Sequence, residues 1–138
     1  MKRTPLRRKS KSPLAKMKQQ LWEECKRIIR KRYANPDGTW NCYTCGAHIT
    51  EPRNAHTGHF IPSSICSTYL RYHLDNLRIQ DYACNIHRSG NWIAYEAHLI
   101  VDHGRDFPET LKQLNRDTSG KQYDVLWYEE KLNEYKNL

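Results

Sequence analysis

No run of apolar residues approaches the length of a membrane span, and none follows the first basic residues. Neither a transmembrane helix nor a signal peptide is therefore expected, and no membrane partner. Acidic residues are missing from positions 1–18, where Lys2, Arg3, Arg7, Arg8, Lys9, Lys11, Lys16 and Lys18 stand unopposed. Hydrophobic types make up only 38% of the 138 residues, so the apolar core should be small. Small cores often rely on a staple, either a disulfide or a metal. The cysteine count is five, an odd number. In a reducing cytosol, Cys-x-x-Cys reads as metal binding before disulfide.

The charge that is present is unevenly placed. Formal net charge is +8, and positions 19–138 hold 15 basic and 15 acidic residues, so the whole excess sits in the first 18 residues. A second basic cluster follows at Lys26, Arg27, Arg30, Lys31 and Arg32. Such a front end suits a polyanion, above all nucleic acid, whereas the blander reading is a solubilising tail.

Residues 1–11 read as a disordered basic arm. Ser12-Pro13 then reads as a helix start, with Ser as N-cap and Pro at the first helical position. Leu14, Met17, Leu21, Cys25, Ile28, Ile29 and Tyr33 recur at three- and four-residue steps, which gives an amphipathic helix over 12–35 with its basic cluster on the other face. Asn35-Pro36-Asp37-Gly38 ends it in a turn. Extended runs are expected at Thr39–Tyr43, His59–Pro62, Leu70–His73 and Leu77–Gln80. Helical patterning returns from Asn91 to Val101, closed by Gly104. A short helix is expected over Phe107–Leu114, and a last one from Ser119 to Tyr135 burying Tyr123, Leu126, Trp127, Leu132 and Tyr135.

Cys42-Tyr43-Thr44-Cys45-Gly46 is a zinc-knuckle half-site, and a structural zinc requires four tetrahedral N or S ligands, with oxygen also accepted. Cys84 is the clear third ligand. The fourth is either Asp81 or His87, each three positions from Cys84 in sequence, with Cys66 and His73 as outside candidates. Ordinary burial of small hydrophobic cysteines is the competing reading.

Between and beyond these ligands lie His56-Thr57-Gly58-His59-Phe60, Asp75-Asn76-Leu77 and Cys84-Asn85. An ordered His, Asn, Asn interleaved with zinc ligands resembles the HNH, or His-Me finger, nucleases. That resemblance implies an α+β fold with a zinc-stapled ββα-metal core over 39–104. N- and C-terminal helices would flank it, the latter over 105–138, in a single domain spanning 12–138. It also implies that His59 is the general base, that Asn76 braces the loop carrying it, and that Asn85 binds a catalytic magnesium or manganese ion. Many such enzymes carry Asp just before the catalytic histidine; here that position is Gly58, with His56 two residues further back. His48, His98 and His103 read as surface or helix residues.

The run from Cys42 to about Leu114 resembles, more closely, the NinG/Rap family of lambdoid-phage recombination endonucleases. The matching pieces are Cys42-x-x-Cys45-Gly46, Gly58-His59-Phe60, Leu70-Arg71-Tyr72, Asn76 with Gln80, Cys84-Asn85, Ser89-Gly90-Asn91, Tyr95, Leu99-Ile100 and Gly104, with Trp22 and Arg30 upstream. Glycine before the histidine is also this family's habit, while Asp81 stands where the family usually has Cys. The resemblance implies an endonuclease acting on branched DNA, such as Holliday junctions and D-loops, in the cytoplasm of a bacterial host. Lys26, Arg27, Arg30, Lys31, Arg71 and Arg88 are then the expected phosphate contacts, and a homodimer would suit symmetric cutting. The alternative is a non-catalytic, zinc-containing, DNA-binding recombination accessory protein.

Overall fold

Ser12 has extended backbone, and its Oγ accepts from the amide of Ala15 at 3.2 Å, so the chain enters α1, Pro13–Tyr33, through a capped first turn. A computed structural model describes residues 3–6 and 8–138. Met1, Lys2 and Arg7 of the expected basic arm lie outside the described residues; the rest of the arm has no helix or strand. The stripe Leu21, Cys25, Ile28 and Ile29 is buried, as its spacing requires.

Four short strands follow. β1, Trp40–Asn41, pairs antiparallel with β2, His48–Ile49, around the turn that carries the two knuckle cysteines. β3, His56–His59, pairs antiparallel with β4, Leu77–Gln80, so that Gly58 faces Arg78 and His59 faces Leu77. The amide of Tyr43 donates to the carbonyl of Ile79 at 2.8 Å, which ties the knuckle to the edge of β4.

Several expected boundaries move. The strand at His59 precedes that residue, because Pro62 opens a turn that accepts from Ile65 and Cys66 and pulls the chain out of the sheet. The run Leu70–His73 is not extended. Ser67 caps the amide of Leu70 at 3.1 Å, and a one-turn helix, α2, Thr68–Arg71, forms in its place. After β4 come a wide π-helical turn at Ala83–His87 and then α3, Trp92–His103, which Gly104 closes at φ 91°. α4, Asp106–Thr118, is longer than expected. α5, Val125–Lys136, starts later than Ser119, because Asp124 caps the amide of Trp127 at 3.1 Å. On α5 it is Tyr128, Leu132 and Tyr135 that are buried, whereas Leu126 is 60% exposed.

The architecture is α+β, with five helices and two two-stranded sheets among the described residues. α1, α5 and β4 enclose one apolar cluster built on Leu21, Ile29, Leu77, Ile79 and Tyr128. A second cluster, with Phe60, Leu70, Tyr95, Leu99 and Leu111, joins α2, α3 and α4 to the segment after β3. Arg78 is buried beneath the rings of Tyr33, Tyr43 and Phe107, and donates to the carbonyls of Asp75 and Leu77. No helix among the described residues is long and apolar enough to cross a membrane.

Two leucines on α5 test this arrangement. Leu132→Ala removes a 6%-exposed side chain and is expected to cost about 2–5 kcal/mol in urea unfolding. Leu126→Ala is expected to stay within about 0.5 kcal/mol of the parent.

Candidate functional site

The ligand-type atoms of Cys42, Cys45, Asp81 and Cys84 all lie within 4.8 Å of one another. Four tetrahedral ligands about 2.0–2.3 Å from a zinc ion are separated by comparable distances, so this cluster could hold a metal such as zinc. The sequence spacing converges here for local reasons. Gly46 adopts φ 77° to turn the knuckle, and the amide of Cys42 donates to the carbonyl of Ala47 at 2.9 Å. Asp81 caps the π turn, with Oδ1 accepting from the amide of Cys84 at 2.8 Å, while Oδ2 lies 3.4 Å from the sulfur of Cys45. His87 is exposed and packs edge-on against Tyr82, so Asp81 joins the three cysteines and His87 does not. Cys66 and His73 also lie outside the cluster.

The thiols of Cys42 and Cys45 are shifted in opposite directions. Burial, together with hydrogen bonds to Cys42, Cys84 and Asp81, pushes the Cys45 thiol up to about 12. Burial opposes ionisation at Cys42 as well, but the Thr44 hydroxyl and nearby backbone amides outweigh it and lower that thiol. A divalent ion would displace the remaining protons, since thiolate is the ligand form. Arg88 and Asn91 each direct a donor at the sulfur of Cys84, both at 3.6 Å.

His59 ends β3 and is bracketed by two buried amides. On its C-terminal side, Asn76 Oδ1 accepts from the amide of Ile61 at 2.8 Å, and Asn76 Nδ2 donates to the carbonyls of Ile61 (3.1 Å) and Leu70 (3.2 Å). On its N-terminal side, Gln80 fills the space over Gly58: a Cβ there would sit 1.9 Å from Gln80 Oε1. Gln80 Nε2 donates to Thr44 Oγ1 (3.1 Å) and to the carbonyl of Gly90 (2.8 Å). The Tyr95 hydroxyl donates to the carbonyl of Gly58 at 2.9 Å. A side chain at position 58 would have to displace Gln80 from this place.

The His59 ring is stacked on Trp22 of α1, with centroids 5.1 Å apart and planes 12° apart, and its Nε2 lies 3.0 Å from the carbonyl of Arg71. That carbonyl can only accept, so Nε2 carries the proton and Nδ1 carries the lone pair. Burial pushes the imidazole down to about 4, so the ring is neutral at physiological pH.

His59 and Asn85 line one cleft of about 290 Å³, with Ser63, Ser64 and Ser89. Asn85 Nδ2 donates to His56 Nδ1 at 3.1 Å, which leaves Oδ1 without that duty. The wall beyond Asn85 is strained: Ser89, Gly90 and Asn91 have φ of 49°, 87° and 48°, two of them without glycine's freedom.

The expected phosphate contacts divide into two kinds. Lys26 pairs with Glu23, Arg27 bonds Glu24 and the carbonyl of Tyr135, and Arg30 bonds the carbonyls of Pro52 and Ala55. Lys31 is exposed, and Arg71 donates to the carbonyl of Ser63 at 3.0 Å. Among the described residues, Lys31, Arg71 and Arg88 have no acidic partner within salt-bridge distance.

The family model described as Bacteriophage Lambda NinG protein matches residues 2–138. The chain belongs to the NinG family. Searches of curated proteins and of solved structures gave no match. Within this NinG chain, Trp22 and Gln80 are site residues to which the sequence assigned no role. Trp22 is a large aromatic beside the regular apolar stripe of α1, and Gln80 is a polar residue ending a strand that is buried along its whole length. Those departures from pattern were the available signals.

Two outcomes are expected of this NinG chain. Gly58→Asp should destabilise it by more than about 3 kcal/mol through overpacking and a buried charge, and Gly58→Asp with Gln80→Ala should recover part of the loss in urea unfolding. The second outcome follows from His59. Below pH about 6.5 the unfolded chain takes up a proton that the folded imidazole refuses until about pH 4. Stability should fall as pH drops through that window, and His59→Gln should show a shallower fall when urea midpoints are compared across pH.

Proposed function

We propose that the chain is a metal-dependent DNA endonuclease of the HNH, or His-Me finger, type, acting on branched recombination intermediates of a phage. The observation that carries this reading is the state of His59. Its imidazole is neutral, held through Nε2 by a backbone carbonyl, and set in one cleft with Asn85 beside a four-ligand metal cluster. The chain order supports it too. A strand bearing the histidine, an antiparallel partner strand and a helical turn bearing Asn85 come in that order, with two candidate metal ligands before the first strand, one just after the second strand and one within the turn.

The roles follow from chemistry. Water attacking a phosphodiester in line must lose a proton, and His59 Nδ1 is the group with a free lone pair to take it. Trp22 and the carbonyl of Arg71 hold the ring in one orientation, and Asn76 and Gln80 hold the backbone on either side of it. Arg71 and Arg88 would hold phosphates, with strong salt dependence and little sequence preference. Cys42, Cys45, Asp81 and Cys84 would hold zinc, which supplies folding stability of roughly 10 kcal/mol in small domains. Only that one group of three or more His, Cys, Asp or Glu ligands occurs among the described residues. The cleft itself offers a second ion only Asn85, His59 and hydroxyl oxygens. So sparse a set suits magnesium or manganese, which keep waters and lean on substrate phosphates. When bound, such an ion supplies positive charge at the scissile phosphate and the leaving oxygen.

The test is incubation with labelled four-way junction and duplex DNA, with and without magnesium, in zinc-replete buffer. His59→Ala is expected to cut about 10²–10⁴-fold more slowly while keeping its zinc and its DNA affinity. Cutting at the parental rate would remove His59 as the base. Tight binding by the parent without nicking at any magnesium concentration would leave a non-catalytic DNA-binding accessory protein. Elemental analysis should find one zinc per chain, and Cys84→Ser should lose it together with cooperative unfolding.

A further inference from the structure

Pro62 lines the cleft that holds His59 and Asn85. That residue is also a wall of a second, apolar groove of about 440 Å³, built from Phe60, Ile61, Ile65 and the ring of Trp92. Its lining begins one residue after His59 in the chain. Asn76 holds both backbone groups of Ile61, so this lining is fixed relative to the histidine. Two of its apolar members are spread into solvent: Trp92 is 56% exposed and Ile65 71% exposed. In a chain so poor in apolar residues, such exposure is costly unless something covers it. The far rim is polar, with Lys112 bonded to Glu96 at 2.7 Å and Arg116 lacking an acidic partner among the described residues.

We infer that this groove takes one unpaired nucleobase of the DNA, adjacent to the scissile phosphate and stacked on Trp92. The inference rests on the nuclease reading for its polyanion, and goes beyond it by naming what the enzyme recognises. Three features select this occupant. The groove shares the wall residue Pro62 with a polar cleft whose Ser63 is bonded by Arg71 and whose Ser89 follows Arg88 in the chain, two cations without acidic partners among the described residues, so a strand lying in the cleft would deliver its next base to the apolar wall. An exposed indole with an aliphatic neighbour offers the flat apolar surface on which any base stacks. The rim cation Arg116 suits the neighbouring phosphate. A base stacked and paired inside a duplex cannot enter. A base at a branch point, a bulge or a single-stranded end can, and the groove thereby converts local unpairing into affinity without reading sequence.

The experiment compares affinities of the full chain, in zinc-replete, magnesium-free buffer, for three otherwise identical DNAs. One is fully paired, one carries a single unpaired thymidine, and one carries an abasic residue at that position. The thymidine bulge is expected to bind at least about fivefold tighter than the abasic bulge, since base–aromatic stacking spans about 1–3 kcal/mol. Trp92→Ala should remove that ratio, Trp92→Phe should keep most of it, and Ile65→Ser should reduce it. Because Trp92 and Ile65 are exposed, these variants are expected to fold, as unchanged urea midpoints would verify. Equal affinity for base and abasic bulges, or a ratio unchanged in Trp92→Ala, overturns the proposal. Either outcome alongside magnesium-dependent cleavage would sink the groove and spare the nuclease reading. A preserved, Trp92-dependent ratio with no cleavage would support the groove and sink the nuclease.

Discussion

The candidate site depends on two buried amides at the two ends of one strand. Asn76 precedes β4 and Gln80 closes it, and neither is exposed to solvent. Asn76 satisfies both backbone groups of Ile61, beyond His59, and Gln80 occupies the side-chain space of Gly58, before it. A buried amide group left without partners costs about 1–3 kcal/mol, which favours the contacts of Asn76 and of Gln80 Nε2, whereas Gln80 Oε1 is buried with no partner among the described residues. The β3–β4 register that places Gly58 opposite Arg78 is thereby held at both ends. Gln80 extends the same constraint outward, to Thr44 in the cysteine knuckle and to Gly90 beside Asn85. The cysteine knuckle, the histidine strand and the strained loop thus all touch Gln80.

The strain has a place in this arrangement. Three successive left-handed residues, Ser89 to Asn91, follow a π turn, and both features cost free energy that regular helix would not. They bring Asn91 and Arg88 back to the sulfur of Cys84 and set Asn85 toward His56. A continuous α-helix from Ala83 would direct these side chains along a different surface. A metal held by the ligand group that contains Cys84 and the capping Asp81 would be able to offset that cost.

Much of this was legible from residues in order. Ser12-Pro13 announced α1, Gly104 announced the end of α3, and Leu77–Gln80 read as a strand because its apolar run is short and bounded. Leu70–His73 misled, because a β-rich composition was overruled by the Ser67 cap and by Asn115 and Thr118 of α4 bonding Ser67. Leu126 misled because a stripe on a three-turn helix tolerates a shift of one residue, and only the facing helix α1 selects Tyr128 instead. Arg27 and Arg30 read as part of a uniform basic face, and the structure adds bonds from both to carbonyls of other segments.

The order of residues alone determined the ligand types, three cysteines with an acid or a histidine, because chelating spacing is a property of adjacent residues. It likewise determined the basic excess of the first 18 residues and the capped start of α1. Only the tertiary structure decided between Asp81 and His87, since both lie three positions from Cys84 and the choice turns on how the π turn winds. It alone explained Gly58, through a side chain 22 positions away that fills the missing Cβ. It alone brought Trp22 from the first helix onto His59, because contacts between distant segments are set by packing and leave no periodic trace in the chain.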